Sequence, residues 1–129
     1  MKGESFEELR VYRAAEGVGD LVWEIVSGWD PFAKDTVGKQ LVRAADSIGA
    51  NIAEGYGRKS YADNRRFVAI ARGSLMETRH WLRRAHKRNL LTKDQTDALK
   101  TLLEPLPKSL NAYLKFIGPT NTAPITSDQ

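Results

Sequence analysis

The stretch RAADSIGANIAEGYGRKS, residues 43–60, determines the predicted fold. Its end holds two glycines, two cations and a serine, as many phosphate-binding loops do. A Walker-type loop, however, follows a strand and ends in Gly-Lys-Ser/Thr, whereas here a helical pattern comes first and Arg58 follows Gly57. Gly57 is predicted to close a helix in the left-handed conformation, and Ser60, three residues before Asp63, to cap the next helix. The stretch therefore predicts a turn between two helices and not a nucleotide site.

The composition is typical of one globular domain. The 129 residues are 41% hydrophobic and 28% charged. No run of about 18 apolar residues is present to span a membrane, and the first residues lack the apolar centre of a secretion signal. The absence of cysteine excludes disulfides, thiolate zinc sites and cysteine nucleophiles. We expect a cytoplasmic protein with no membrane partner, a helical domain over residues 1–118, and an extended or flexible tail over residues 119–129.

Helical periodicity extends on both sides of the turn. Apolar residues recur every three or four positions from Val11 to Trp29, from Val37 to Ile52, from Phe67 to Ala85 and from Leu99 to Ile117. No stretch alternates with the period of a strand. Four amphipathic helices joined by short turns predict an all-α fold, an antiparallel up-down four-helix bundle with left-handed crossings.

Local signals predict where these helices begin and end. Asp30-Pro31 is predicted to end the first helix, because the residue before proline avoids the helical region. Asp35 or Thr36 is predicted to cap the second helix. Thr92 and Gln95 have the spacing of a capping box and are predicted to begin the fourth.

The fourth helix contains two prolines. Pro105 and Pro107 each lack an amide donor, and a proline costs about 3 kcal/mol inside a helix. A kink or a break is therefore predicted between Leu103 and Lys108.

The positive charge is concentrated in one segment. Residues 55–91 carry ten basic and two acidic side chains, whereas the whole chain has a net charge of +4. Most of these cations are predicted to lie on the third helix, opposite its core stripe, where they could follow a phosphate backbone. The alternatives are a solvated face paired with the acidic first helix, and salt bridges between subunits. The predicted nucleic-acid-binding residues are Arg58, Lys59, Arg65, Arg66, Arg72, Arg79, Arg83, Arg84, Lys87 and Arg88.

Small and polar residues lie beside the core stripes of the second and third helices. Small side chains allow helices to approach closely, and the stripes already supply the core, so these positions are predicted to form a subunit interface. The alternative is that they fill a tight crossing inside one chain. Surplus aromatic surface at Tyr12, Trp23 and Tyr56 also favours an interface. The predicted interface residues are Arg43, Ser47, Asn51, Glu54, Ala69, Gly73 and Met76.

The sequence offers little chemistry for catalysis. Glu77 and His80 have the Glu-x-x-His spacing of di-iron bundles, but such sites need a second pair, and the chain has none. Ser47 and Ser74 have no base positioned by a motif. We therefore predict no catalytic residues, no metal, no cofactor and no small-molecule substrate, and hence no enzyme.

A more specific signal is the combination of Arg43–Ser60 with FVAIARGSLMET, residues 67–78. Together these segments resemble the family of 23S rRNA intervening-sequence proteins, and the resemblance covers roughly residues 5–117. It implies a left-handed up-down four-helix bundle that assembles as a ring, commonly a homopentamer, with no known enzyme activity. A relative of that family, the accessory variability protein of diversity-generating retroelements, is associated with nucleic acid and a reverse transcriptase. The two prolines and the C-terminal tail depart from the family pattern.

Two functional hypotheses result. The first is a non-enzymatic, ring-forming bundle whose basic helix face binds RNA or another nucleic acid electrostatically. The second is a protein-interaction scaffold whose basic residues contact an acidic partner or a neighbouring subunit.

Overall fold

All regular structure in the part of the chain that is described is helical. A computed structural model describes residues 5–118. A 3₁₀ turn at Phe6–Glu8 precedes the first helix. Two turns lead without a break into the second helix, an α-helical turn at Pro31–Ala33 and a π-helical turn at Lys34–Gly38. The fourth helix is divided into α4 and α5. The helices are α1 (Arg10–Ser27), α2 (Lys39–Tyr56), α3 (Tyr61–Lys87), α4 (Lys93–Leu103) and α5 (Leu106–Phe116).

Neighbouring helices run antiparallel around one core. Tyr12, near the start of α1, lies against Gly49, whereas Val26, near its end, lies against Gly38. Helices α3 and α5 are antiparallel too, since the earlier residue Arg65 bonds the carbonyl of Ile117 and the later residue Arg72 bonds Asn111. All five helices contribute buried side chains to this core, which supports the predicted bundle. Its fully buried members include Val18, Val22, Leu41, Ile48, Ile52, Leu75, Leu106 and Leu110.

Two of the predicted caps are confirmed. The backbone N–H of Asp63 donates to Ser60 Oγ at 3.0 Å and begins α3. At α4 the N–H of Gln95 donates to Thr92 Oγ1 at 3.1 Å, and the Thr92 N–H donates to Gln95 Oε1 at 3.0 Å. The left-handed conformation predicted for Gly57 is wrong: its φ is −84°, and its N–H donates to the carbonyls of Ala53 and Glu54.

The predicted boundary between the first two helices is correct only in part: Asp30 is extended before Pro31, as predicted, but the first helix ends earlier and the second is entered at once. Helix α1 ends at Ser27, and Asp30 begins the next helical segment, with Ala33 N–H donating to Asp30 Oδ1 at 3.0 Å. Pro31 occupies the first helical position, where its fixed φ suits a helix and its missing N–H has no partner to lose. The predicted caps Asp35 and Thr36 lie instead inside the π-helical turn.

The break predicted at the two prolines is confirmed. Helix α4 ends at Leu103 and α5 begins at Leu106, with Pro105 as its cap and Pro107 in its first turn. Both prolines thus occupy positions where a missing amide does little harm. The bend separates α4 from α5 beside the second half of α3. The tail predicted over residues 119–129 lies outside the described residues.

The contact between α1 and α2 includes an unfavourably placed carboxylate. Asp46 lies so close to Gly19 that a Cβ on the glycine would stand 2.7 Å from Asp46 Oδ1. Burial, together with the nearby charge of Asp20, raises the pKa of Asp46 above its ordinary value. Folding therefore favours the protonated carboxyl, and the free energy of unfolding falls as the pH rises through the range above the ordinary pKa of 3.8.

Asp46→Asn is expected to stabilise the protein at neutral pH, because an amide carries no charge to bury or to repel Asp20. The gain should be below about 1 kcal/mol, since Asp46 is largely exposed. It should vanish near pH 3, where Asp46 is protonated in both states. Chemical denaturation of both proteins at the two pH values measures this. If the two proteins differ in the free energy of unfolding by the same amount at both pH values, the charge of Asp46 does not cause the difference.

Candidate nucleic-acid interface

Four arginines of α3 lie on its flank, next to α4 and α5, and not opposite the core. We call them the basic flank: Arg65, Arg72, Arg79 and Arg83. Arg65 Nη1 donates to the carbonyl of Ile117 at 2.9 Å, and Arg72 Nη1 donates to Asn111 Oδ1 at 3.2 Å. The buried stripe of α3 is rotated by about 50° from the predicted one, at 100° per residue. The predicted stripe was centred on Phe67, Ser74, Thr78 and Ala85, of which the first two are only half-buried, and it omitted the buried Val68. The buried residues are Val68, Ala71, Leu75, Thr78, Leu82 and Ala85.

At the start of α3 two cations, Arg58 and Arg66, are neutralised within the chain. Arg58 Nε donates to Asp63 Oδ2 at 2.9 Å and its Nη1 donates to Glu54 Oε2 at 3.1 Å. Arg66 Nε donates to the other Asp63 oxygen at 3.2 Å, and both guanidinium groups stack on Phe67, 5.1 and 4.7 Å from its ring centre. The hydrogen bond from Arg58 lowers the pKa of Asp63, and the same bond raises the pKa of Arg58. A phosphate at this end would have to displace carboxylates.

The opposite end of α3 differs. Its last turns carry five basic residues, and none of them forms an ion pair with a carboxylate of residues 5–118. Four are exposed and Arg84 is half-buried. Cations also suit the negative end of the helix dipole there, which is a structural reason for their position. We call them the C-terminal cations of α3: Arg79, Arg83, Arg84, Lys87 and Arg88.

The acidic first helix does not neutralise these cations. The described ion pairs of the basic segment are confined to Glu54 and Asp63, at the other end of α3. Lys59, at the turn, is likewise exposed and forms no ion pair with a described residue. Within residues 5–118 the solvated-face alternative therefore lacks the pairing that it requires.

Arg79 and Arg83 border an open groove between α3 and the α4–α5 bend. The groove has a volume of about 650 Å³. Lys100 and Glu104 lie on its other side, and most of its surface between the two sides is apolar. Sequence reasoning missed Lys100, although the predicted proline break was the available signal for irregular packing there. The groove is lined by Arg79, Leu82, Arg83, His86, Leu91, Thr96, Leu99, Lys100, Leu103, Glu104 and Pro107.

The turn between α2 and α3 forms a second, smaller concavity. It has a volume of about 490 Å³ and is lined in part by Glu54, Arg58, Lys59 and Asp63. No strand precedes it in the described chain; α2 ends on one side of the turn and α3 begins on the other, as predicted. Its two carboxylates are already bonded to Arg58.

The small residues predicted for an interface face outward on α3. Ala69, Gly73 and Met76 are exposed, and no atom lies within 4 Å of the position that a Cβ on Gly73 would take. Gly73 therefore does not fill a crossing inside the chain, and exposed Ile70 adds apolar surface beside it. The outward face adjoins the basic residues of α3, since Met76 lies one helical turn from both Arg72 and Arg79.

The predicted interface residues of α2 are more occupied. Arg43 and Glu54 are exposed, but Ser47 and Asn51 are half-buried. Ser47 Oγ donates to the Arg43 carbonyl at 2.8 Å, and Asn51 Nδ2 donates to the Ser47 carbonyl at 2.8 Å. Glu54 accepts from Arg58. Because these polar groups already form hydrogen bonds within the chain, they have less capacity to bond a neighbouring subunit.

The prediction for exposed aromatic residues is correct in part. Trp23 is 63% exposed, but Tyr12 and Tyr56 are half-buried, and Tyr12 packs edge-on against Phe6 at 5.0 Å. Phe32, at 79% exposure, was missed because its place in the turn before α2 was assigned to no helix face.

Glu77 and His80 lie near no third possible metal ligand among residues 5–118. His80 is exposed, and Glu77 accepts a long bond of 3.5 Å from Trp81 Nε1. Within the described residues, no three His, Asp or Glu side chains come together as possible ligands.

None of the helices described is long and apolar enough to cross a membrane.

These features define an all-helical bundle with a basic flank on its longest helix. The sequence model of the 23S rRNA-intervening sequence protein family matches residues 7–112, and the chain belongs to that family. The resemblance found in the sequence is thereby confirmed.

A solved structure shares the fold. It is the crystal structure, at 1.70 Å resolution, of a protein with unknown function from the S23 ribosomal protein family of Bacteroides thetaiotaomicron. The similarity has a TM-score of 0.71 and covers 81% of this chain and 98% of the other, at 24% sequence identity. No curated protein matches the sequence.

Proposed function

We propose that this protein is a non-enzymatic cytoplasmic bundle that binds RNA or another nucleic acid through the basic flank of α3. The observation that carries the proposal is the run of C-terminal cations of α3, which form no ion pair with a carboxylate of residues 5–118. Arg65 and Arg72 extend the flank toward the turn, where each bonds only a neutral oxygen. Cations held by neutral partners keep their full charge for a phosphate.

The mechanism is electrostatic. Lys and Arg displace counterions from phosphates, so binding has little sequence preference and weakens with salt. We further propose left-handed crossings and assembly into a ring, a homopentamer in keeping with the family. A ring presents several copies of the flank, and multivalency raises the overall affinity without any new contact.

A second candidate function is a protein-interaction scaffold. It is favoured by the outward face of α3, where Ala69, Gly73 and Met76 are exposed beside Ile70. In this case the same cations would contact an acidic partner or a neighbouring subunit. A ring held by the outward face would leave open the groove that Arg79 and Arg83 border, because that groove lies toward α4 and α5.

A salt titration of RNA binding tests the main proposal. A short labelled RNA should bind at low salt, and the logarithm of its affinity should fall linearly with the logarithm of salt concentration. A slope equivalent to several phosphates is expected, because four arginines share the flank and Lys100 faces two of them across the groove. Undetectable binding of RNA and DNA at low salt would refute nucleic-acid binding and leave the scaffold.

Gly73→Gln tests whether the outward face of α3 is a subunit contact. In the isolated chain the substitution meets open space and should raise helix stability by about 0.5 kcal/mol. At a close interface the longer side chain should separate the subunits and yield smaller particles in light scattering after gel filtration. Gly17→Gln is the matched control, because no atom lies within 4 Å of its Cβ position either. If both variants remain assembled like the wild type, α3 does not form the contact through Gly73.

A further inference from the structure

We propose that the groove between α3 and the α4–α5 bend receives an unpaired nucleotide, so that the protein prefers single-stranded over double-stranded nucleic acid. This inference rests on the proposed nucleic-acid binding and adds the class of ligand. It starts from two properties that the groove combines, a largely apolar floor and cations on both sides.

The floor is made of leucine side chains from three parts of the chain. Leu82 of α3 and Leu99 of α4 are buried at its base, while Leu91 and Leu103 are half-buried along it. Pro107 closes the end next to α5. The proline break keeps α4 and α5 from forming one straight rod, which leaves these apolar side chains accessible.

The sides of the groove are predominantly positive. Arg79 and Arg83 stand on α3, and Lys100 stands across from them on α4. Among described residues none of the three forms an ion pair, and Glu104 is the single carboxylate of the lining. The three cations against one carboxylate favour an anionic ligand.

An unpaired nucleotide matches both properties. Its phosphates can contact Arg79, Arg83 and Lys100, while its base covers leucine surface that water now touches. In a duplex the bases are stacked and paired inside, so only the phosphates could be used. Proteins that bind single strands commonly combine a cationic groove with aromatic side chains on which bases stack, and in this groove leucine side chains would take the place of the aromatic ones. The groove volume of about 650 Å³ lies in the usual range of ligand pockets.

The test compares one RNA as a single strand and as a duplex. The single strand should bind about tenfold more tightly at the same salt concentration. Leu103→Asn should remove most of that preference without changing the charge, whereas duplex binding should stay constant. Leu91→Asn is a second variant of the same kind. Leu21→Asn is the matched control, since Leu21 is a half-buried leucine of α1, away from the groove. Thermal unfolding checks that each variant is folded.

The outcomes separate this inference from the proposed function. Equal affinity for single strand and duplex, or a Leu103→Asn effect of the same size on both, would overturn the nucleotide site and leave phosphate binding intact. Tighter, Leu103-dependent binding of an acidic leucine-containing peptide would also overturn it, because the occupant would then be a protein. Absence of binding to either RNA form would remove both proposals.

Discussion

Reversing two charges, in the double variant Arg79→Glu with Arg83→Glu, is expected to lower the affinity for RNA about a hundredfold at about 0.1 M salt. Both guanidinium groups are exposed, and neither is paired with a carboxylate of the described chain. The variant therefore loses two attractive charges and adds two repulsive ones. The plot of log affinity against log salt should also become shallower by about 1.4, or about 0.7 for each lost single-strand contact. Fluorescence anisotropy over a salt series measures both quantities.

The control for this experiment is the double variant Arg13→Glu with Lys34→Glu. It has the same net charge, but the changes lie on α1 and on the turn before α2, far along the chain from α3. Its affinity should fall only through the long-range effect of net charge, by less than about tenfold. Equal losses in the two variants would mean that the basic flank is no binding site. Dispersal of the oligomer by the α3 variant alone would place the cations at a subunit contact.

Gly55→Ala is expected to lower the free energy of unfolding by about 1–3 kcal/mol, because α2 and α3 approach closely there. A Cβ at this position would stand 2.6 Å from Asn64 Oδ1, 2.8 Å from Phe67 Cβ and 3.1 Å from the backbone oxygen of Asn64. Two of these atoms move only with the α3 backbone, so a change of rotamer does not relieve the clash. The two helices must separate, and the stacking of Arg58 and Arg66 on Phe67 should weaken with them.

Gly57→Ala is the matched control, two residues further along. Gly57 has a φ of −84°, which alanine adopts readily, and its Cβ would lie 3.7 Å from the nearest atom, the Glu54 carbonyl oxygen. Its stability should be unchanged or raised by less than about 1 kcal/mol. Urea denaturation of the three proteins makes the comparison. If Gly55→Ala is as stable as Gly57→Ala, the close helix approach described here is wrong.

The parts of the fold that depend on local chemistry could be predicted from the sequence. The caps at Ser60 and at Thr92 depend on residues three positions apart, and the proline break depends on one missing amide at a time. Asp30-Pro31 was misassigned because the same dipeptide can follow one helix and begin the next. The cap by Asp30 and the place of Pro31 at the first helical position were local signals for the second reading.

The candidate site was harder to predict because it depends on how the helices are rotated. The cations were identified from composition, but their position on the flank of α3 depends on which residues α4 and α5 cover. The groove joins Arg79 to Lys100, residues far apart in the sequence, through a bend whose direction periodicity does not specify. The sequence also did not predict which cations form ion pairs. Asp63 forms ion pairs with both Arg58 and Arg66, whereas the later arginines of α3 form none with a described carboxylate.

Lysine footprinting tests the central claim, that the α3 flank is open to solvent in the free protein and covered by phosphate in the complex. Acetylation by a small soluble reagent, with and without RNA, reports each lysine separately by mass spectrometry. RNA should slow modification of Lys87 and Lys100 and leave Lys34 and Lys39 unchanged. If Lys87 and Lys100 react at the same rate with and without saturating RNA, or are already protected in its absence, phosphate binding by the flank is contradicted.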